Sequence, residues 1–341
     1  MHDGNTPASA WLNKCHILAL ILLKTQAMNT YAEALEQGLS TSPKAIPTRF
    51  IYDDRGSQIF QQIMNMPEYY LTDCELEIFQ TQSNDIYKHL NFDRPFNIIE
   101  LGAGDGLKTK ELLSALLSQN LDFTFIPVDI SDEAIQSLTK RLSLELPNLK
   151  MNPKVGDYFK VLEEVIIPER PNLFLFLGSN IGNYEHANAV ELLRHFGEHM
   201  LPNDKLLIGF DLKKNPETIR LAYQDPHGIT KAFNMNLLER ANRELGADFE
   251  LEQFDFYCFY NPYTGAVRSM LVSLEQQQVQ IQALNQSYSF GKNEIIRTEL
   301  SQKYDLDMIQ ELATETGYQP VHHFMDGRSY FSDSLWVKSG S

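Results

Sequence analysis

Cysteine is scarce in this chain. The three that occur, Cys15, Cys74 and Cys258, show no C-x-x-C spacing, which argues against a disulfide framework and a zinc knuckle and points to a reducing compartment, the cytoplasm. No apolar run approaches the roughly 20 residues that a spanning helix requires, and the one membrane-like stretch, residues 16–23, is far too short, so no membrane partner is expected. Read as a signal-peptide core, that stretch has no convincing small-residue cleavage site before Met28. Residues 1–27 are therefore expected to be a disordered N-terminal extension, with Met28 as an alternative start. Positive charge is in deficit as well: 29 Lys and Arg stand against 45 Asp and Glu, a formal net charge of -16, and no local basic patch offsets it. Such a surface repels phosphate polyanions, which excludes nucleic acid as an expected partner. Internal repeats and low-complexity tracts are absent too. What remains is 341 residues with 43% hydrophobic and 11% aromatic content, enough for one large core or one core plus a satellite domain.

The pattern changes character along the chain. Residues 30–37 are good helix formers, and 56–66 place Ile59, Phe60, Ile63 and Met64 at helical spacing before Pro67 ends the element. A long helix is expected from Thr72, whose Thr72-Asp-Cys-Glu75 sequence fits a capping box. This first segment reads as a helical cap. From Phe96, short apolar strands at 97–101, 124–129, 173–177 and 205–210, with 150–155 weaker, alternate with helical patterns at 108–118, 132–144 and 187–199. That alternation predicts a doubly wound α/β sheet. After Lys213 it is lost: a helical stretch to Leu245 gives way to strands at 254–260 and 266–274, joined by the turn Asn261-Pro-Tyr-Thr-Gly265, with further strand candidates at 279–284 and 295–301. A helix at 306–316 and two closing strands, 321–325 and 330–337, end the chain. A C-terminal hairpin on a parallel sheet is the arrangement of Rossmann-like class I methyltransferases. The expected organisation is thus a helical cap and methyltransferase domain over 28–213, a smaller inserted α+β domain over 214–303, and a return to the methyltransferase sheet over 304–341.

The strand at 97–101 breaks into Gly102-Ala-Gly-Asp-Gly106 and then a helix. Glycine is needed at Gly102 and Gly104 because a side chain would keep a cofactor from the turning backbone. The spacing is G-x-G-x-G, not the G-x-G-x-x-G of dinucleotide sites. The strand also ends in an acid, Glu100, which suits the cationic amino-acid portion of S-adenosylmethionine and would repel a pyrophosphate. Asp129 falls at the end of the next strand, where ribose hydroxyls are bound. Asp157 follows the weak strand, placed to accept from the exocyclic amine of adenine, with Tyr158 or Phe159 beside the ring. Loop, acid and acid in that order predict S-adenosylmethionine as cofactor; a dinucleotide or unoccupied loop with incidental acids is the competing reading.

The strand at 173–177 runs into Gly178-Ser-Asn-Ile-Gly-Asn183, at the carboxyl edge where open α/β sheets place their substrates, so Gly178 and Asn183 are expected at the acceptor site with Asn183 facing the methyl donor. Five ordered blocks carry a likeness here: Phe50-Ile-Tyr-Asp-Asp-Arg-Gly-Ser57, Met66-Pro-Glu-Tyr-Tyr70, Phe176-Leu-Gly-Ser-Asn-Ile-Gly-Asn183, Phe233-Asn-Met-Asn-Leu-Leu238 and Thr298-Glu-Leu-Ser301. On these blocks the chain resembles the histidine Nα-methyltransferases of ergothioneine biosynthesis, from about Lys44 to the C-terminus.

The resemblance implies an α-amino acceptor, L-histidine, methylated up to its trimethylated betaine. By the same resemblance Asn183 and Tyr223 bind the substrate carboxylate and Tyr69 contacts that end of the substrate. Glu299 and Ser301, two apart on an expected strand and so on one face, bond the two imidazole nitrogens. Met270 packs on the ring, Tyr52 sits near the amine, and Lys108 engages the cofactor carboxylate. The chain departs from the family in its loop, which usually reads glycine-serine-glycine-threonine. Tyr52, water or bulk solvent can each take the proton that the amine must lose. Cation–π contact gives Tyr52 and Phe60 a second role toward a growing methylammonium.

Competing readings are an acceptor of tryptophan type and a non-catalytic module that keeps the cofactor fold. His195-Phe-Gly-Glu-His199 matches an inverted zinc-protease pattern, but no convincing third ligand follows, and the two histidines fall toward the polar side of a helix. No metal is expected. The partner is a small molecule, and the chain is expected to act as a monomer.

Overall fold

The structure, a computed structural model, describes residues 31–156, 158–166 and 170–339. The expected extension at 1–27 with its apolar run, Asp157, and the side chains of Tyr158 and Phe159 lie outside the described residues. The chain divides into two compact units, whose described residues are 31–60, 228–257 and 269–299 in one and 61–156, 158–166, 170–227, 258–268 and 300–339 in the other.

The larger unit is built on an eight-stranded sheet: β1 Phe96–Leu101, β2 Phe123–Asp129, β3 Lys150–Met151, β4 Lys154–Val155, β5 Asn172–Phe176, β6 Lys205–Asp211, β7 Tyr318–Met325 and β8 Phe331–Lys338. Its order is β7-β8-β6-β5-β1-β2-β3, with β4 also on β2. All neighbours from β6 to β3 are parallel, whereas β8 runs antiparallel between β6 and β7. Every residue of β1 and β5 is buried, as strands covered on both faces must be, and this explains their unbroken apolar runs. Trp336 of β8 is fully buried and stacks on Phe210 of β6, which seals the hairpin onto the parallel strands.

Helices α1 Leu71–Leu90, α2 Leu107–Ser118, α3 Asp132–Glu145, α4 Tyr158–Val165, α5 His186–His199, α6 Pro216–Tyr223 and α7 Leu306–Glu315 belong to this unit. The weak strand expected at 150–155 is two short pieces: Pro153, between them, has no N–H to give the ladder. The capping box at Thr72 does not form. The residue that caps α1 is Tyr70, without a side-chain hydrogen bond, which places Thr72 inside the helix and frees Glu75 for a different partner.

The smaller unit holds helices Tyr31–Leu39 and Ile229–Leu245, a 3-10 turn Thr48–Ile51, the start of helix Asp54–Met64 and a ribbon of Gln277–Ile281 with Gln286–Phe290. A four-stranded sheet orders Lys44–Ala45, Ile295–Gln302, Ala266–Ser273 and Phe254–Asn261; the last three strands continue into residues counted with the larger unit. Two sequence expectations shift here. The stretch to Leu245 is two helices broken around Pro226 and Gly228, the latter at φ +76°, and the strand expected at 279–284 stops at Ile281, followed by a 3-10 turn. The strand Gln286–Phe290 was not expected at all.

Candidate active site

Parallel strands bring their carboxyl ends to one edge, so Glu100, Asp129, Gly178 and Asp211 gather where β1, β2, β5 and β6 end. Gly102 and Gly104 turn the chain at φ +75° and +52°, and a Cβ on either would meet nothing within 4 Å, so the loop borders open space. Asp129 holds the loop: its Oδ2 accepts from the Gly104 N–H at 3.1 Å and its Oδ1 from Ser131 N–H at 2.9 Å. Each oxygen keeps a second lone pair for a ribose hydroxyl.

Glu100 is buried. One oxygen accepts from Thr109 Oγ1 at 2.6 Å, and the other, Oε2, has no hydrogen-bond partner among the described residues. Burial pushes its carboxyl from 4.5 up to about 8, against the pull of Thr109 and of the Lys108 charge. An orphaned carboxylate oxygen two residues before an open glycine loop fits the ammonium of the S-adenosylmethionine amino-acid group.

Lys108, the first-turn lysine of α2, pairs with Glu75 Oε2, and the other Glu75 oxygen accepts the Gly178 N–H at 2.7 Å. Asp333 of β8 lies in the same cluster, fully buried, and burial followed by the Glu75 charge pushes its carboxyl well up. Among the described residues no donor reaches either Asp333 oxygen; a proton kept on Asp333 lets it donate to Glu75. Glu75 and Asp333 are residues the sequence reading missed.

Three expected acceptor residues of the larger unit meet. The Tyr223 hydroxyl lies 2.9 Å from Ser301 Oγ, and the half-buried Tyr69 ring meets the Tyr223 ring edge-on at 6.3 Å. Behind the two hydroxyls stands Lys303, fully buried, which donates to Tyr223 at 2.6 Å, to Ser301 at 2.8 Å and to Asp211 at 2.6 Å. Asn183 ends a 3-10 turn, Asn180–Asn183, and is exposed. The turn packs tightly, since a Cβ on Gly182 would lie 2.7 Å from the Gln302 carbonyl oxygen.

Tyr52, Met270 and Glu299 belong to the smaller unit, where the sequence blocks turn out to be bonded to one another. Asn236 donates to the Ile51 carbonyl at 3.1 Å and to Asp53 Oδ1 at 2.7 Å. Thr298 donates to Asn234 at 2.5 Å, and Thr48 donates to the Thr298 carbonyl at 2.8 Å. These bonds, two of them buried, fix the residues on either side, Tyr52 next to Ile51 and Asp53, and Glu299 next to Thr298. Tyr52 meets Phe60 and Phe233 edge-on, each at 5.3 Å. Although 42% of its surface is accessible, poor solvation and then the Glu299 charge push its phenol above the ordinary range, so it is protonated at neutral pH. Ser269 donates weakly to Glu299 Oε2 at 3.4 Å, and Met270 is half-buried. In the histidine pair of α5, His195 Nδ1 lies 2.8 Å from Glu198 Oε2.

A parallel sheet closed by an antiparallel C-terminal hairpin, with a glycine loop after β1 and an acid ending β2, defines a class I S-adenosylmethionine-dependent methyltransferase. The profile of the family described as histidine-specific methyltransferase, SAM-dependent, matches residues 31–338, and the chain belongs to that family. It is 34% identical to a histidine N-alpha-methyltransferase of Mycolicibacterium smegmatis over 94% of this chain and 100% of that one. It is 32% identical to ergothioneine biosynthesis protein 1 of Schizosaccharomyces pombe over 70% of this chain and 32% of that one. A solved S-adenosylmethionine-dependent methyltransferase from Clostridium acetobutylicum superposes with a TM-score of 0.45 at 11% identity, covering 83% of this chain and 99% of that one; the fold assignment stands on the strand order. No helix among the described residues is long and apolar enough to cross a membrane.

Proposed function

We propose that the chain transfers methyl groups from S-adenosylmethionine to the α-amino nitrogen of L-histidine, in successive rounds up to the trimethylated betaine, hercynine. Membership of the histidine-specific family over residues 31–338 carries this reading, and the open glycine loop beside Glu100 and Asp129 supports it.

The cofactor, when bound, supplies an already activated methyl sulfonium, so the protein's task is to align amine, methyl and sulfur and to exclude water. Glu100, Gly102, Gly104, Lys108 and Asp129 would hold it, together with Asp157 and Tyr158. Tyr69, Asn183 and Tyr223 would hold the acceptor carboxylate end, with Gly178, whose N–H is taken by Glu75, lining the acceptor site. Glu299 would accept from one imidazole nitrogen, Ser301 would donate to the other, and Met270 would pack on the ring. Tyr52 would face the amine. As a phenol that stays protonated at neutral pH, it orients the amine through its oxygen lone pairs, and water is the better first acceptor of the amine proton.

An acceptor without ring nitrogens would forfeit the hydrogen bonds to Glu299 and Ser301, which selects against aliphatic side chains. The enzyme is proposed to act as a cytoplasmic monomer on free amino acid, without nucleic acid, in keeping with its net charge of -16. The test is a reaction containing isotopically labelled S-adenosylmethionine and a pool of free amino acids, read by mass spectrometry. Label should appear in mono-, di- and trimethylated histidine; label in a tryptophan derivative instead would overturn the acceptor assignment.

A further inference from the structure

Lys303 lies two residues beyond Ser301, is fully buried, and has all three ammonium N–H bonds spent on Asp211, Tyr223 and Ser301. An ammonium only donates, so both hydroxyl oxygens accept from it, and both hydroxyl protons are turned away from it. Asp211 ends β6 and is itself fully buried. It also pairs with Lys214, whose side chain is 3% exposed, and accepts from the Tyr70 hydroxyl at 3.0 Å. Two ammonium groups therefore share one carboxylate. Burial, only partly offset by Asp211, pulls the Lys214 ammonium below its ordinary range, as expected where cations outnumber anions. A buried cluster with surplus positive charge, ending on the hydroxyl of Tyr223, calls for an anion on the other side of that hydroxyl.

We propose that Lys303 is a positioning residue for the acceptor's α-carboxylate: it fixes the Tyr223 hydroxyl as a donor facing away from it and sets a buried positive charge one atom behind that donor. This rests on the reading of Tyr223 as a carboxylate contact. It adds that the carboxylate is recognised as a charge, through a relay, and not only by neutral hydrogen bonds. The same lysine holds the Ser301 oxygen, and the 2.9 Å contact between the two hydroxyls takes up one of their two protons, so a Tyr223 proton aimed at the carboxylate leaves Ser301 donating to Tyr223 until a ligand displaces it.

The test compares L-histidine with L-histidinamide, which keeps amine and imidazole but lacks the carboxylate charge. Affinities are measured by titration calorimetry in the presence of S-adenosylhomocysteine for wild type, K303M, K303R and Y223F. Wild type is expected to prefer histidine over histidinamide by about tenfold or more, the size of one charge-assisted hydrogen bond. In K303M the histidine affinity should fall about 10- to 100-fold while histidinamide binding changes little. K303R, which keeps the charge, should retain part of the preference. In turnover the K303M loss should appear in KM more than in kcat.

If K303M weakens both ligands equally, Lys303 is structural only and the proposal is overturned. If Y223F leaves histidine affinity intact, the Tyr223 reading is at fault; if Y223F weakens it and K303M does not, the relay is wrong and the Tyr223 reading stands. Should K303M not fold, wild type decides: a histidine-to-histidinamide preference below about threefold, less than one such bond supplies, overturns the proposal.

Discussion

The backbone N–H of Gly178 donates to Glu75 at 2.7 Å, and the same carboxylate holds the ammonium of Lys108. A single side chain in the second turn of α1 thereby joins the loop after β5 to the first turn of the glycine-loop helix. Glu75 is fully buried, so taking away its cation would leave a charge in the core beside Asp333. Lys108→Met is therefore expected to cost about 3–5 kcal/mol of stability. Combining it with Glu75→Gln should restore part of that loss, because no unpaired charge remains. Urea unfolding of the four proteins of this cycle measures the coupling, and strict additivity of the two changes would remove the argument.

Why Glu75 escapes a sequence reading is instructive. In Thr72-Asp-Cys-Glu75 the local spacing offers a complete explanation, a capping box, whereas its partners Lys108 and Gly178 are 33 and 103 residues away. Lys303 escapes for a related reason: a lysine just past the end of an alternating strand reads as a solvent-facing residue, and only the packed structure shows it walled in by Asp211, Tyr223 and Ser301. The parallel strands were legible because burial on both faces leaves an uninterrupted apolar run, as in Leu173 to Phe176 of β5. Gln286–Phe290 was not, since Gln-Ser-Tyr-Ser-Phe buries only Tyr288 and Phe290. The glycine loop and the family blocks were read from residue identity, but that the blocks bond to each other through Asn234, Asn236 and Thr298 has no local signature.

The Glu100 carboxyl gives a pH signature. Burial raises it from 4.5 to about 8 in the folded chain, so the native state binds a proton that the unfolded state releases. Its contribution is fully present below about 4.5 and is lost as pH climbs through about 8. Wild type should therefore lose stability relative to Glu100→Gln across that window, by up to about 1.4 kcal/mol per pH unit. Thermal unfolding of both proteins from pH 5 to pH 9 follows the gap. A cationic amine placed at Oε2 would expel the proton, so calorimetry of S-adenosylhomocysteine binding near pH 7 in buffers of different ionisation enthalpy should show proton release that Glu100→Gln lacks. A constant stability gap and no proton release would mean that Glu100 is ionised throughout.

Thr298 tests the link between packing and acceptor binding. Its hydroxyl donates to Asn234 in the core of the smaller unit. Thr298→Val keeps the shape and leaves the Asn234 oxygen unsatisfied, a loss of about 1–3 kcal/mol. Because the next residue is Glu299, the KM for histidine should rise while the affinity for S-adenosylhomocysteine holds. An unchanged KM in a measurably destabilised protein would show that this bond supports the fold and not the position of Glu299.

The proposed role of Glu299 toward the acceptor ring can be tested by its removal. If its carboxylate accepts an imidazole N–H, Glu299→Ala removes a charge-assisted hydrogen bond, and histidine affinity in the presence of S-adenosylhomocysteine should fall about 10- to 100-fold. The same change should relax selection, because histidine then loses the bond to Glu299 that a ring without nitrogens never makes. Phenylalanine is the sharpest comparison, since it keeps amine, carboxylate and an aromatic ring for Met270 to cover and loses only the two nitrogens. The ratio of kcat/KM for histidine over phenylalanine should drop by at least about tenfold in Glu299→Ala. Glu299→Gln should lie between, as an amide oxygen still accepts but carries no charge. Equal losses for both amino acids would mean that Glu299 supports the pocket without touching the ring, and the specificity would have to be sought in Ser301 and the residues that hold it.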